Sequence, residues 1–377
     1  MGKLRKMAFS IILGAAALSA VYLYFPPQTR SSSISVQAVY DPARIGELNM
    51  VKALIEATPL VGNTYEIVEK PNAQFKDLKL DKDKSYIIIT AGQFGINFLK
   101  SASPLQSAKV LLCAHQWFDD MKNLHDIYLT MPHHAIDERI RKWAKKQKIE
   151  LIPTQGALHI MSVKSLDGQD TSSVHLSDAK IGLLLGGDAE MPNGVDWRLF
   201  SVENARKLAN EISELIKKTG YKVLITNSPR TGAFINATTR NPKAHKDGEI
   251  DKVSKAFLDE LTKSGLKERE DFEFHDFQFG APSALKAILA VIYKNKGFMI
   301  VPGESTSSTS EITSILPTTI YINDAMNHIH EAYLTELTNN RVADLWPNIP
   351  SPNQMNVYVL PKSQAIKVIE KIHTTPH

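Results

Sequence analysis

Four loops carry residue types suited to holding a phosphate. Each directly follows a short apolar run: Ala91-Gly92-Gln93, Gly186-Gly187-Asp188, Asn227-Ser228-Pro229-Arg230-Thr231 and Gly303-Glu304-Ser305-Thr306-Ser307-Ser308. Glycine lets a backbone approach an anion closely, free N–H groups at a helix start favour its charge, and hydroxyls add donors. Arg230 offers a planar, bidentate cation. A glycine after a strand is also ordinary turn chemistry, so the weight lies in three such loops sharing one half of the chain. Neither GxGxxG nor the P-loop pattern GxxxxGKS/T occurs, which argues against NAD and ordinary ATPase loops. Glu311, seven residues beyond Glu304, reads either as an acceptor for a ribose hydroxyl or as a capping-box glutamate paired with Ser308.

Other constellations are weaker. Gly303-Glu304-Ser305-Thr306-Ser307 resembles a nucleophile elbow, with Asp324 and His328 following in hydrolase order. Serine replaces its last glycine, and no HGGG-type oxyanion motif accompanies it. His133-His134 and His328-Ile329-His330 lack further ligands at metal spacing, so no metal is expected. Arg139–Lys148 (RIRKWAKKQK) reads either as a solvated helix face or as a contact for anionic lipid headgroups. Asn236-Ala237-Thr238 is a formal glycosylation sequon.

These loops need a scaffold, and the pattern supplies one. Ile34–Tyr40, Tyr86–Thr90, Val110–Ala114, Ile127–Met131 and Ile149–Pro153 read as strands, with a helix over Met50–Ala57. After a polar stretch, Asp167–Ser173, the alternation restarts. Strands are expected over Ala179–Leu185, Tyr221–Thr226, Phe272–His275, Gly297–Val301 and Thr318–Ile322, with helices over Ser201–Lys218 and Ser283–Lys294. Helical patterns over Asn327–Leu345 and Ser363–His373 close the chain. Short continuous apolar runs separated by amphipathic helices specify parallel strands covered on both faces. The expected fold is α/β: two Rossmann-like doubly wound domains facing a cleft, at residues 35–170 and 171–325, followed by C-terminal helices over 326–377. Ligands of such sheets sit beyond the carboxyl ends of the strands.

The 377 residues, 43% hydrophobic and 22% charged, exclude disordered and low-complexity classes. A net charge of +4 gives no general case for nucleic-acid binding. The single cysteine, Cys113, excludes an intrachain disulfide. Residues 1–34 form an anchor or signal segment plus linker. Met7–Phe25 carries no charge, follows Lys3, Arg5 and Lys6, and at 1.5 Å per residue spans about 28 Å, a bilayer's hydrocarbon thickness. A single-pass N-terminal membrane anchor is expected, with signal cleavage near Ala15–Ser19 and a periplasmic or secreted product as the alternative.

A family resemblance runs through residues 36–345. His125–Asp137 (HDIYLTMPHHAID) and Thr154–His159 (TQGALH) resemble a stretch of the plant mitochondrial-fission, or "elongated mitochondria", proteins and their bacterial relatives. Ile181–Asp188, Leu224–Thr231 and Gly303–Ile312 (GESTSSTSEI) resemble that family's later strand-loop motifs, and Asp41, Gly46 and Asn49 its opening. Met50 stands where the family has glutamine, His133 where it has glutamate, and Ala135 at an acidic position. The resemblance implies a GT-B glycosyltransferase-like architecture with a sugar-nucleotide pocket on the second domain and a crossing C-terminal helix. Gly186, Gly187, Ser228, Arg230, Ser305, Ser307 and Glu311 would surround the nucleotide diphosphate, with Asn227, Thr231 and Gly303 in the same loops. Gly46, Asn49, Gly92 and His159 would stand on the substrate side. His134 is then the surviving candidate for general base.

The expected function is therefore transfer from a nucleotide diphosphate sugar by a membrane-anchored protein, requiring no other cofactor. The alternative is a non-catalytic membrane scaffold, since the plant relatives recruit dynamin-related proteins. Flanking charge would send the globular part across the membrane, away from cytoplasmic sugar nucleotides. Either the topology is inverted or the ligand is something else.

Overall fold

The computed structural model describes residues 34–374 apart from 62–63, 82–83, 102–107, 194 and 351–360. The charge-free run Met7–Phe25 lies outside the described residues, among which no helix is long and apolar enough to cross a membrane.

The first half folds around six strands: β1 (Ile34–Tyr40), β2 (Tyr65–Pro71), β3 (Tyr86–Ala91), β4 (Ala108–Cys113), β5 (Tyr128–Pro132) and β6 (Glu150–Thr154). They pair in parallel in the order β2-β1-β3-β4-β5-β6. Helices α1 (Ile45–Ala57), α2 (Gly92–Lys100) and α3 (Glu138–Lys146) accompany them. Every residue of β3 is buried, as its unbroken YIIITA run requires. Edge strand β2, with its three charged residues, stays half-exposed and carries no apolar run to betray it.

The second half holds β7 (Ile181–Leu184), a ribbon of β8 (Ala189–Glu190) and β9 (Trp197–Arg198), β10 (Val223–Thr226), and a ribbon of β11 (Phe234–Asn236) and β12 (Thr239–Arg240). It continues with β13 (Phe272–His275), β14 (Phe298–Pro302), β15 (Thr318–Tyr321) and β16 (Asp344–Leu345). Its parallel sheet runs β13-β10-β7-β14-β15-β16. Strand order reverses between β7 and β14 here, and between β1 and β3 in the first sheet, and such switch points open crevices at the carboxyl edge.

Helices α4 (Val202–Thr219), α5 (Lys252–Lys263), α6 (Leu285–Lys294), α7 (Thr306–Thr313), α8 (His328–Asn339) and α9 (Pro361–Thr374) complete the chain. Ser201 caps α4, accepting from the Asn204 N–H at 3.1 Å, and Gly220 ends it at φ 66°. The helix expected over Asn327–Leu345 is shorter. It stops at Asn339; Arg341 turns at φ 55°, and Asp344–Leu345 pair with β15 instead. Helix α9 returns to the first sheet, where Ala365, Val368, Ile369 and Ile372 share an apolar core with Met50 and Leu54 of α1.

Ile369 is fully buried. Ile369→Ala should cost about 2–5 kcal/mol in urea denaturation. A loss well under 1 kcal/mol would mean that α9 is not part of the cooperative fold.

Candidate functional site

A cleft of about 310 Å³ lies between the carboxyl edges of the two sheets. The turn from β1 into α1 contributes Arg44, Gly46, Glu47 and Asn49, and the loop after β4 contributes His115 and Gln116. The second half contributes Asn227, Ser228 and Arg230 after β10, Glu304–Ser308 after β14, and Glu311 of α7. Trp197, Phe234, Phe277 and Phe279 form an aromatic wall. Trp197 stacks on Phe234 at 4.3 Å, and Phe277 meets Phe279 edge-on at 5.3 Å.

The Asn227–Thr231 loop is held from beneath. The Asn227 amide donates to Asp276 (2.6 Å), Ser254 (3.0 Å) and Asp251 (3.2 Å), and its oxygen accepts the Phe277 N–H at 2.6 Å. Ser228 and Thr231 close the turn, with the Ser228 N–H donating to Thr231 Oγ1 at 3.0 Å. These bonds present Arg230 to the cleft. Among the described residues Arg230 forms no ion pair. Gly187 permits the close packing, because a Cβ there would lie 2.8 Å from Arg230 Cβ.

Not every expected donor is open. The Gly186 N–H donates to the Tyr321 hydroxyl at 2.6 Å, and the Gly187 N–H to Glu304 Oε1 at 2.7 Å. Glu304, wholly buried, thus occupies from within the chain an amide that a ligand would otherwise meet. Burial raises its pKa. Gly303 packs against Met326 and lies outside the lining, as does Thr231.

Helix α7 faces the first half. Glu311 Oε1 accepts from Asn49 Nδ2 at 2.6 Å, across the cleft. Ser310 Oγ accepts the Ala157 N–H at 3.0 Å and shares a 2.7 Å hydrogen bond with Tyr333. A Cβ on Gly46 would fall 2.9 Å from Ser307 Oγ. The capping-box reading of Glu311 fails, since Ser305 is the N-cap and Ser308 lies inside the helix. Burial pushes the Glu311 carboxyl up to about 7, against the Asn49 hydrogen bond that favours its charge.

Two candidate histidines lie away from the cleft lining. The His134 side chain is 3% exposed, stacks on Tyr333 at 4.3 Å and approaches Glu336 at 3.4 Å. Burial depresses its pKa. His159 is buried beside Ser310, its pKa lowered to about 4 by burial. The nucleophile-elbow arrangement is not assembled, because Asp324 instead binds the Ser201 N–H (3.1 Å) and Asn204 (3.0 Å) at the start of α4.

Glu47 is the site residue that sequence reasoning missed. It sits in the first turn of α1, its Oε1 accepting from Arg44 Nη1 at 3.0 Å and its buried Oε2 without a partner. Burial pushes its carboxyl up to about 7, against the pull of Arg44. Gly92 makes room for it: at φ +56°, a Cβ there would lie 1.9 Å from Glu47 Oε1. The available signal was the spacing Asp41, Arg44, Glu47 directly after a strand. Arg44 also reaches Glu190 of the second half at 3.7 Å. His115 and His330 are held neutral at the cleft, each pushed down to about 3 by burial and then by the Arg230 charge. Of groups able to hold a cation, His245, Asp251 and Asp276 come within 4.8 Å of one another beneath the Asn227 loop. His245 already contacts the Thr231 carbonyl at 2.8 Å, while Asp251 caps α5.

No protein-family profile and no curated protein matches the sequence. Solved structures of similar fold include the UDP-GlcNAc 2-epimerase from Neisseria meningitidis bound to UDP-GlcNAc, 10% identical, covering 90% of this chain and 94% of that one at a TM-score of 0.45. Another is Arabidopsis thaliana UGT89C1 complexed with UDP, 10% identical over 90% and 95% of the two chains, TM-score 0.43. A third is MurG of Acinetobacter baumannii, 9% identical over 89% and 95%, TM-score 0.38.

Glu311 binds its proton more tightly folded than unfolded. The stability it contributes is therefore full below about pH 4.5 and is lost as pH rises to about 7. Glu311→Gln removes that titration. In paired urea titrations the variant should gain on wild type by an amount on the order of 3 kcal/mol from pH 4.5 to 7, then hold constant. The buried histidines titrate alike in both proteins and cancel. A flat difference would mean that Glu311 is ionised in the folded protein.

Proposed function

We propose that the protein binds a nucleotide diphosphate sugar in the cleft between residues 35–170 and 171–325, taken as two domains, and transfers the sugar to an acceptor hydroxyl. On this reading it is a GT-B-like relative of the mitochondrial-fission family, anchored by its N-terminal segment. The observation that carries the proposal is Arg230. Among the described residues it forms no ion pair, and it lines the cleft together with Ser305 and Ser307 at the start of α7 and with an aromatic wall. A diphosphate suits the first group and a nucleobase the second.

Glu47 supplies the base. Its carboxylate takes the proton of the acceptor hydroxyl as the hydroxyl oxygen attacks the anomeric carbon, and the bond from that carbon to the phosphate oxygen breaks to release the nucleoside diphosphate. A carboxyl held near 7 by burial is suited to that exchange at neutral pH.

The scaffold reading keeps a specific support, because Glu304 and Asn49 already occupy the Gly187 amide and Glu311. Calorimetry on the full chain with UDP, GDP and ADP separates the two. One of these should bind, and Arg230→Ala should weaken it about 10- to 100-fold. No binding at about 1 mM ligand, or an unchanged Arg230→Ala affinity, would overturn the site. Glu47→Gln should leave affinity intact and lower turnover of the matching nucleotide sugar by about 10²–10⁴. Binding without turnover in wild type would favour the scaffold.

A further inference from the structure

We infer that α3 and the amino edge of the first sheet form a docking surface for an anionic lipid bilayer. Residues 137–148 hold six basic and two acidic residues. Both acids are occupied at the start of α3: Asp137 caps it, accepting the Ile140 N–H at 2.7 Å, and Glu138 lies 3.8 Å from Lys142. Arg141, Lys145, Lys146 and Lys148 are exposed, and among the described residues they form no ion pair. Arg141 with Lys145, and Lys142 with Lys146, stand one helical turn apart, where like charges repel. An external anionic surface relieves that repulsion.

The buried side of α3, Ile140 and Ala144, packs into the core. Trp143 lies on its shoulder, half-exposed, edge-on to Trp117 at 4.8 Å, with its N–H donating to the Lys122 carbonyl at 3.3 Å. The apolar side of α3 is thus turned inward, and what the helix presents outward is basic charge, suited to anionic lipid headgroups. The acids at the strand starts are already matched: Glu66 by Lys84 (3.8 Å), Asp126 by His125 (2.9 Å) and Glu150 by Lys371 (3.1 Å).

Topology selects a bilayer over a soluble polyanion. All six strands of the sheet are parallel, so the end of α3, which leads directly into β6, lies at the edge where β1 begins. Between the charge-free run Met7–Phe25 and β1 lie residues 26–33, which even fully extended span at most about 28 Å. The lysines and the chain entering β1 thus share one edge, and the cleft opens at the other. Seated this way, the cleft faces away from the lipid.

The test uses the full chain with phosphatidylcholine vesicles, with and without brominated phosphatidylglycerol. Flotation on neutral vesicles reports the anchor. Quenching of Trp143, taken against a Trp143→Phe blank, reports the surface. Quenching should require the anionic lipid and disappear when salt rises from about 0.05 to 0.5 M. It should also be lost in Arg141→Gln/Lys145→Gln/Lys146→Gln, whose unchanged thermal unfolding checks the fold. Flotation without quenching overturns the surface and spares the anchor. Quenching indifferent to lipid charge or to the triple change overturns it too, as does binding to a polynucleotide with Trp143 unquenched on vesicles.

Discussion

Four carboxylates, Glu47, Glu190, Glu304 and Glu311, are held largely out of water around one cleft, and the cost of desolvating them organises what surrounds it. Each answers that cost differently. Glu47 and Glu190 share Arg44. Glu304 takes a backbone amide and Asn323. Glu311 takes Asn49 and holds its proton up to about pH 7. Two of these solutions, Arg44 with Glu190 and Asn49 with Glu311, join the halves of the chain. The two sheets are therefore positioned by these polar contacts as well as by apolar packing. Arg230 forms no ion pair among the described residues, although its charge helps to hold Glu190 and Glu304 ionised.

Helix α7 is where the two halves exchange contacts. Its residues Ser307, Ser310 and Glu311 meet Gly46, Ala157 and Asn49 of the first half, while Ser305 and Ser307 line the cleft. One short helix thus serves both as a wall of the cavity and as the surface on which the first half rests. A ligand that takes a hydrogen bond from or to Glu311 must share it with Asn49 or displace it, so ligand binding and the fit of the two halves are coupled through this pair.

Much of the fold was legible because fully covered parallel strands cannot hide. Runs such as YIII and IGLL are apolar at successive positions, and small residues follow each within one or two positions, as a crowded carboxyl edge demands. Edge strand β2, with Glu66, Glu69 and Lys70, carries no such run, and β16 is only two residues long. The helix over 327–345 was overextended because Val342 and Ala343 continue its apolar rhythm while the backbone has already turned at Arg341. The loops after β10 and β14, which line the cleft, were legible for the same edge-crowding reason. The burial of His134 was not legible, because nothing local reveals that Tyr333, from a distant helix, stacks on it. The spacing of Asp41, Arg44 and Glu47 was a weak signal because an acid in a helix's first turn is ordinary; only the tertiary fold shows its carboxylate packed on Gly92 beside the cleft.

The most direct measurement is a structure determined with a nucleotide diphosphate sugar at saturating concentration. The expected result is the diphosphate between the Arg230 guanidinium and the start of α7, in hydrogen-bond contact with Ser305 or Ser307, and the base against the aromatic wall. A ligand bound elsewhere on the molecule, or an empty cleft still spanned by the Asn49–Glu311 hydrogen bond, would contradict it.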